Sequence, residues 1–270
     1  MFASPCRSSL KYDSGKKNLT RAGISKRSYM KSGIKKVLAI GAHPDDVEFS
    51  MGGTVKMLTE SGCEVMILDI TDGEPTPHGS PEIRKSESQK AAKILNVQRK
   101  TLEFDNRFLM DEIHIRKSIA GEIRLFKPDV IFAHYPMDAH PDHLAASSLS
   151  MAARFYGKLS YIDLPGERYF TPRIFYFFSV HLRISPQPDF CLDISPAIET
   201  KIQALLCYES QFHELSRKLS AETNEQKEDM VRSFITTQNR YWGNRIGTAF
   251  AEPFFSPEII GFANLKGLIL

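Results

Sequence analysis

Apolar residues in this 270-residue chain fall into short runs rich in β-branched and aromatic side chains, separated by longer segments with helical spacing. Val37, Leu38, Ala39 and Ile40 are unbroken apolar, as expected of a strand buried on both faces. The pattern predicts strands over residues 36–42, 64–71, 98–104 and 129–135, and helices over 48–61, 81–95, 113–126 and 142–156. Pro81 suits a first helical turn, and Lys127-Pro128 ends the third helix. From Arg173 the runs turn aromatic, predicting strands at 174–180, 190–194 and 249–255 and helices at 196–211 and 225–244. Regular alternation of strand and helix implies an α/β fold: a Rossmann-like, mostly parallel sheet with helices on both faces. No internal repeat interrupts it.

Composition adds three constraints. The formal charge of +3 is carried by the segment before Met30, which holds seven Lys or Arg and one acid, Asp13; taking these from 35 basic and 32 acidic residues leaves −3. Residues 1–32 read as a disordered basic leader, with Met30 as the better start, and 33–270 as a single domain. The remaining basic residues are dispersed, which argues against nucleic acid. No run approaches the roughly 18 apolar residues of a membrane span. Cys6, Cys63, Cys191 and Cys207 form no C-x-x-C pair and read as reduced, mostly buried thiols in a cytoplasmic enzyme. Tyr241 and Trp242 read as packing or as a homo-oligomer contact.

Two clusters carry the chemistry. His43-Pro44-Asp45-Asp46 follows the first predicted strand, and His140-Pro141-Asp142-His143 follows the fourth, both at the sheet edge where α/β proteins place their sites. Two imidazoles and a carboxylate make an open donor set suited to Zn²⁺, leaving a fourth position for water. Residues one and four of a tight turn converge while neighbours diverge, so His43 and Asp46 can share a metal and leave Asp45 free as a base. A spare histidine, His140, fits the task of assisting a polarised carbonyl. Neither cluster contains a Lys or Arg, so as bare loops both would be self-repulsive without a cation.

Gly41-Ala42-His43-Pro44-Asp45-Asp46-Val47-Glu48, Gly52-Gly53-Thr54, Thr71-Asp72-Gly73-Glu74, Arg84-Lys85-Ser86-Glu87 and His140-Pro141-Asp142-His143 resemble the LmbE-like zinc deacetylases, the family of N-acetylglucosaminylphosphatidylinositol deacetylase (PIG-L). Tyr208-Glu209-Ser210-Gln211-Phe212 and Ala251-Glu252-Pro253-Phe254 resemble its bacillithiol-biosynthesis branch. The resemblance implies one zinc per chain, or another divalent metal such as Fe²⁺, on His43, Asp46 and His143. It further implies Asp45 as base, His140 assisting the tetrahedral intermediate with Asp142 orienting it, Tyr208 as an oxyanion donor and Arg84 at the substrate. Arg107, at a strand end, is a second candidate for an anionic substrate group. Mycothiol-pathway relatives carry a tyrosine where this chain has Asp138, which leaves the oxyanion group open. The implied reaction is removal of the N-acetyl group from an N-acetylglucosamine conjugate, with N-acetylglucosaminyl malate favoured. The alternatives are deacylation of another small amide such as N,N'-diacetylchitobiose, and a catalytically silent zinc-containing sugar-binding protein. Glu252 reads as near the site or as an edge charge.

Overall fold

Strand β1 (Lys36–Gly41) is buried along Val37–Ile40 with 0% exposure, and its alternate side chains feed two different cores. Leu38 and Ile40 pack with Ile131, Ala133 and the apolar stripes of two helices, α3 (Ile113–Phe126) and α4 (Pro141–Gly157). Val37 and Ala39 pack on the opposite face against α1 (Asp46–Glu60), α2 (Pro81–Leu95) and α5 (Ile198–Leu206). The unbroken apolar run is thus a strand with helices over both faces. The computed structural model describes residues 33–179, 181, 182, 184, 186–212 and 223–261; the predicted leader lies outside them.

The remaining strands are β2 (Glu64–Thr71), β3 (Gln98–Phe104), β4 (Val130–His134), β5 (Arg173–Phe177), β6 (Phe190–Asp193) and β7 (Ala251–Phe255). Their order is β3-β2-β1-β4-β5-β7-β6. The first five run parallel, and β7 pairs antiparallel with both β5 and β6. Chain progression therefore reverses across β1 and β4, and the crevice beyond their C-terminal ends is the topological switch point of the sheet.

Several boundaries differ from the pattern-based expectation. Helix α1 begins at Asp46 rather than residue 48, because Asp45 is its N-cap and Asp46 and Glu48 lie in the first turn, where acids are favourable. Helix α5 stops at Leu206, after which Tyr208 bonds back to the Leu205 carbonyl as a turn. The last described helix, α6 (Asn224–Ile246), opens on a capping box in which Thr223 and Gln226 bond each other's backbone N–H. Cys63, Cys191 and Cys207 are free thiols, half-buried rather than buried as expected. No helix among the described residues is long and apolar enough to cross a membrane.

Candidate metal centre

Both clusters emerge at the switch point. The loop after β1 is fixed from several sides: the Ala42 N–H donates to His134 Nε2 at 3.0 Å, Thr71 donates its N–H (3.0 Å) and hydroxyl (2.9 Å) to the Ala42 carbonyl, and the His43 N–H donates to Asp46 Oδ2 at 2.8 Å. Across the crevice, Pro141 at the first position of α4 and His140 as its N-cap, accepting from the Asp142 N–H at 3.2 Å, bring His143 into the first helical turn.

The three expected ligands converge on one carboxylate. Asp46 Oδ2 lies 3.4 Å from His43 Nδ1, and Asp46 Oδ1 lies 3.2 Å from His143 Nε2. Each histidine has its other nitrogen held by a second carboxylate, His43 Nε2 by Asp142 Oδ2 at 3.1 Å and His143 Nδ1 by Asp138 Oδ2 at 2.7 Å. Histidines held at one nitrogen by a carboxylate, with the other facing a shared oxygen, have the arrangement that orients metal ligands. Burial opposes charge on His43, yet its hydrogen bonds to Asp142 and Asp46 push it up to about 10; burial likewise opposes charge on His143, which Asp46 and Asp138 raise to about 9. A divalent cation would replace those protons on the inner nitrogens, so the donor set fits one. His43, His140 and His143 also bring donor atoms within 4.8 Å of one another, as do Asp46, His134 and His143.

Asp45 faces away from His43 and His143, toward Arg84. Its backbone is left-handed (φ 106°), a strained conformation for a non-glycine residue and one that concentrates at functional sites. Burial pushes its carboxyl up to about 6 against the pull of Arg84, whose Nη2 lies 3.5 Å from Asp45 Oδ2. Arg84 is only 2% exposed; it donates to the Pro44 carbonyl and lies over the Tyr208 ring at 5.4 Å. It lies buried beside Asp45, with its guanidinium on the Pro44 carbonyl.

Three other residues have partners different from those expected of them. The Asp142 carboxylate does not hydrogen-bond His140; it receives the Arg107 and Leu109 N–H groups at 2.7 and 3.3 Å and faces His43. Arg107 turns its side chain to the Pro75 carbonyl at 2.6 Å. Tyr208 is 0% exposed and its hydroxyl donates to Glu48 at 2.8 Å, within a buried group in which Arg99 bonds both Glu48 and Asp69. An oxyanion donor must face the acyl oxygen, and this hydroxyl is buried in the core with its hydrogen on Glu48. The sequence reading gave no role to Asp138, which it noted only in place of a relative's tyrosine, and passed over His134 and His181. His134 was recoverable as a polar residue closing an apolar strand at the catalytic sheet edge; burial lowers it to about 4, which keeps it neutral against Asp46 at 3.1 Å.

The description PIG-L: GlcNAc-PI de-N-acetylase matches residues 38–154, which contain both clusters. Diacetylchitobiose deacetylase of Thermococcus kodakarensis is 30% identical over 234 residues, covering 81% of this chain and 82% of its own length. The chain belongs to the PIG-L family. As a member of this LmbE-like group it is a deacetylase, a hydrolase of amide C–N bonds. A probable N-acetyl-alpha-D-glucosaminyl L-malate deacetylase 2 of Bacillus cereus is 31% identical over 129 residues, covering 40% of this chain and 56% of that protein. Among solved structures, the conserved protein TT1542 from Thermus thermophilus superposes with a TM-score of 0.75 at 33% identity, over 85% of this chain and 98% of that one.

Proposed function

We propose that the chain is a zinc-dependent hydrolase that removes the acetyl group from the amine of an N-acetylglucosamine conjugate. The observation that supports this reading is that His43 and His143 each face Asp46, at 3.4 and 3.2 Å, while the neighbouring carboxylate of Asp45 faces Arg84 at 3.5 Å. His43, Asp46 and His143 would hold a divalent cation, which would supply Lewis-acid polarisation of the acyl carbonyl and the attacking water. Asp45 accepts a proton from that water as the C–O bond forms. His140, whose Nδ1 accepts the Asp142 N–H, carries its proton on Nε2 when neutral and offers it to the developing oxyanion. Transfer of the proton from Asp45 to the amine nitrogen accompanies C–N cleavage and gives a free amine and acetate.

Two observations bear on the rest of the substrate. The relative with broad coverage of both chains is named for diacetylchitobiose. The arginines expected to pair with malate carboxylates are engaged elsewhere, Arg84 behind Asp45 and Arg107 on the Pro75 carbonyl. Both favour an uncharged N-acetylated sugar conjugate such as N,N'-diacetylchitobiose over N-acetylglucosaminyl malate. Acetate release by the purified zinc form, assayed on the disaccharide, on the malate conjugate and on N-acetylglucosamine, tests this reading. Faster turnover of the malate conjugate would reverse the preference, and no acetate from any of them would overturn the activity.

A further inference from the structure

We propose that His181 is a substrate-contacting residue that accepts a hydrogen bond from a sugar hydroxyl of the conjugate. This rests on the deacetylase reading above and adds a specificity-determining residue to it. His181 lies just beyond β5, and its ring is 5.0 Å from that of His143 and 5.5 Å from that of His140. Its side chain is 57% exposed, whereas those of His143 and Asp138 are each 1% exposed. It therefore stands at the open side of the centre.

Asp138 orients it. One oxygen of that carboxylate, Oδ2, holds His143 Nδ1 at 2.7 Å. The other, Oδ1, accepts the His181 N–H at 2.8 Å and lies 3.5 Å from His181 Nδ1. A carboxylate beside Nδ1 favours the tautomer with its proton there, which leaves Nε2 as a lone-pair acceptor. Hydroxyl groups are the donors that a sugar conjugate offers in number.

Asp138, His143 and His181 also have the composition of a cation site. The hydrogen bonds argue against that use. Oδ1 of Asp138 already receives the N–H groups of Ala139 (2.6 Å), His140 (3.2 Å) and His181, and Oδ2 is held by His143. The same carboxylate thus connects a metal ligand to a residue at the mouth, so a sugar held by His181 is held in register with the reacting amide.

The test is His181→Ala in the zinc-loaded, full-length protein. For the best conjugate of the panel, KM is expected to rise about three- to tenfold, the worth of one neutral hydrogen bond. Metal content should stay at the wild-type level, and hydrolysis of N-acetyl amides lacking hydroxyls should be unchanged. His181→Gln, which retains an acceptor, should recover most of the loss. The same ratio should appear in the Kd of the conjugate, measured by calorimetry in an Asp45→Asn background where turnover is suppressed. Equal KM and Kd with and without the imidazole would overturn this proposal alone. Loss of metal in His181→Ala would overturn it in favour of a ligand role. Absence of any N-acetyl sugar binding by the zinc protein would overturn it together with the proposed function.

Discussion

Asp45 and Asp46 are adjacent carboxylates with opposite fates, and the contrast gives the sharpest residue-scale predictions. Burial works against charge on both, but His143 and His134 hold Asp46 well below the usual carboxylate range, while Asp45 is raised to about 6. Asp45→Asn keeps the shape and removes the acceptor for the water proton. Zinc is expected to stay bound while kcat falls on the order of 10²–10⁴, which metal analysis with steady-state kinetics will check. A base must be ionised, so kcat/KM of the wild type should fall on the acid side where Asp45 takes up its proton; burial pushes that point up to about 6 in the metal-free chain, and a cation beside it would move it lower. His43→Ala, Asp46→Ala and His143→Ala should each lose metal and activity together, since each removes one of the three proposed protein ligands; full occupancy in any one would remove it from the set. For Tyr208→Phe the expectation inverts the sequence reading: about 1 kcal/mol of stability is lost with the Glu48 hydrogen bond, and kcat is unchanged.

At the scale of elements, Glu252 and the glycine pair of α1 explain how the first cluster is held in place. Helix α1 is kinked at Met51 (φ −143°), which frees the N–H groups of Gly53 and Thr54. Glu252 on β7 accepts both, at 3.0 and 2.7 Å, and also pairs with Lys201 of α5 at 2.6 Å, with both charged side chains at most 1% exposed. Neither earlier reading of Glu252, at the site or at an edge, describes this clamp between α1, α5 and β7. Gly52 and Gly53 serve the same packing: a Cβ on Gly53 would come within 2.7 Å of Ile194, and one on Gly52 within 3.2 Å of Lys201. Glu252→Ala leaves a buried lysine and two backbone donors without partners. A loss of about 3–5 kcal/mol in chemical denaturation is expected, with Lys201→Met/Glu252→Leu recovering only the part due to the unpaired charge, since the Gly53 and Thr54 N–H groups stay without an acceptor. A loss below 1 kcal/mol would show that water reaches the pair.

At the scale of the whole molecule, the site exists because the sheet reverses its winding between β1 and β4, which sets two loops about a hundred residues apart in sequence against each other. A cation held by both, as proposed, would join them, so chelation should lower the melting temperature and the shift should grow with the free zinc concentration in the reference sample, as linkage requires. An identical melting curve after complete metal removal would exclude that coupling. The sequence by itself determined the alternation of elements and the two His/Asp clusters at the ends of β1 and β4, because these depend on local periodicity and on residue types within four positions of each other. Only the tertiary structure decided the partners. Asp142 serves His43 and not His140, Arg84 and Tyr208 lie beneath the site, His134 and His181 join it, and Glu252 clamps a helix. Each of these depends on which strands become neighbours and which side chains lose water, and long-range pairing of that kind leaves no periodic trace along the chain.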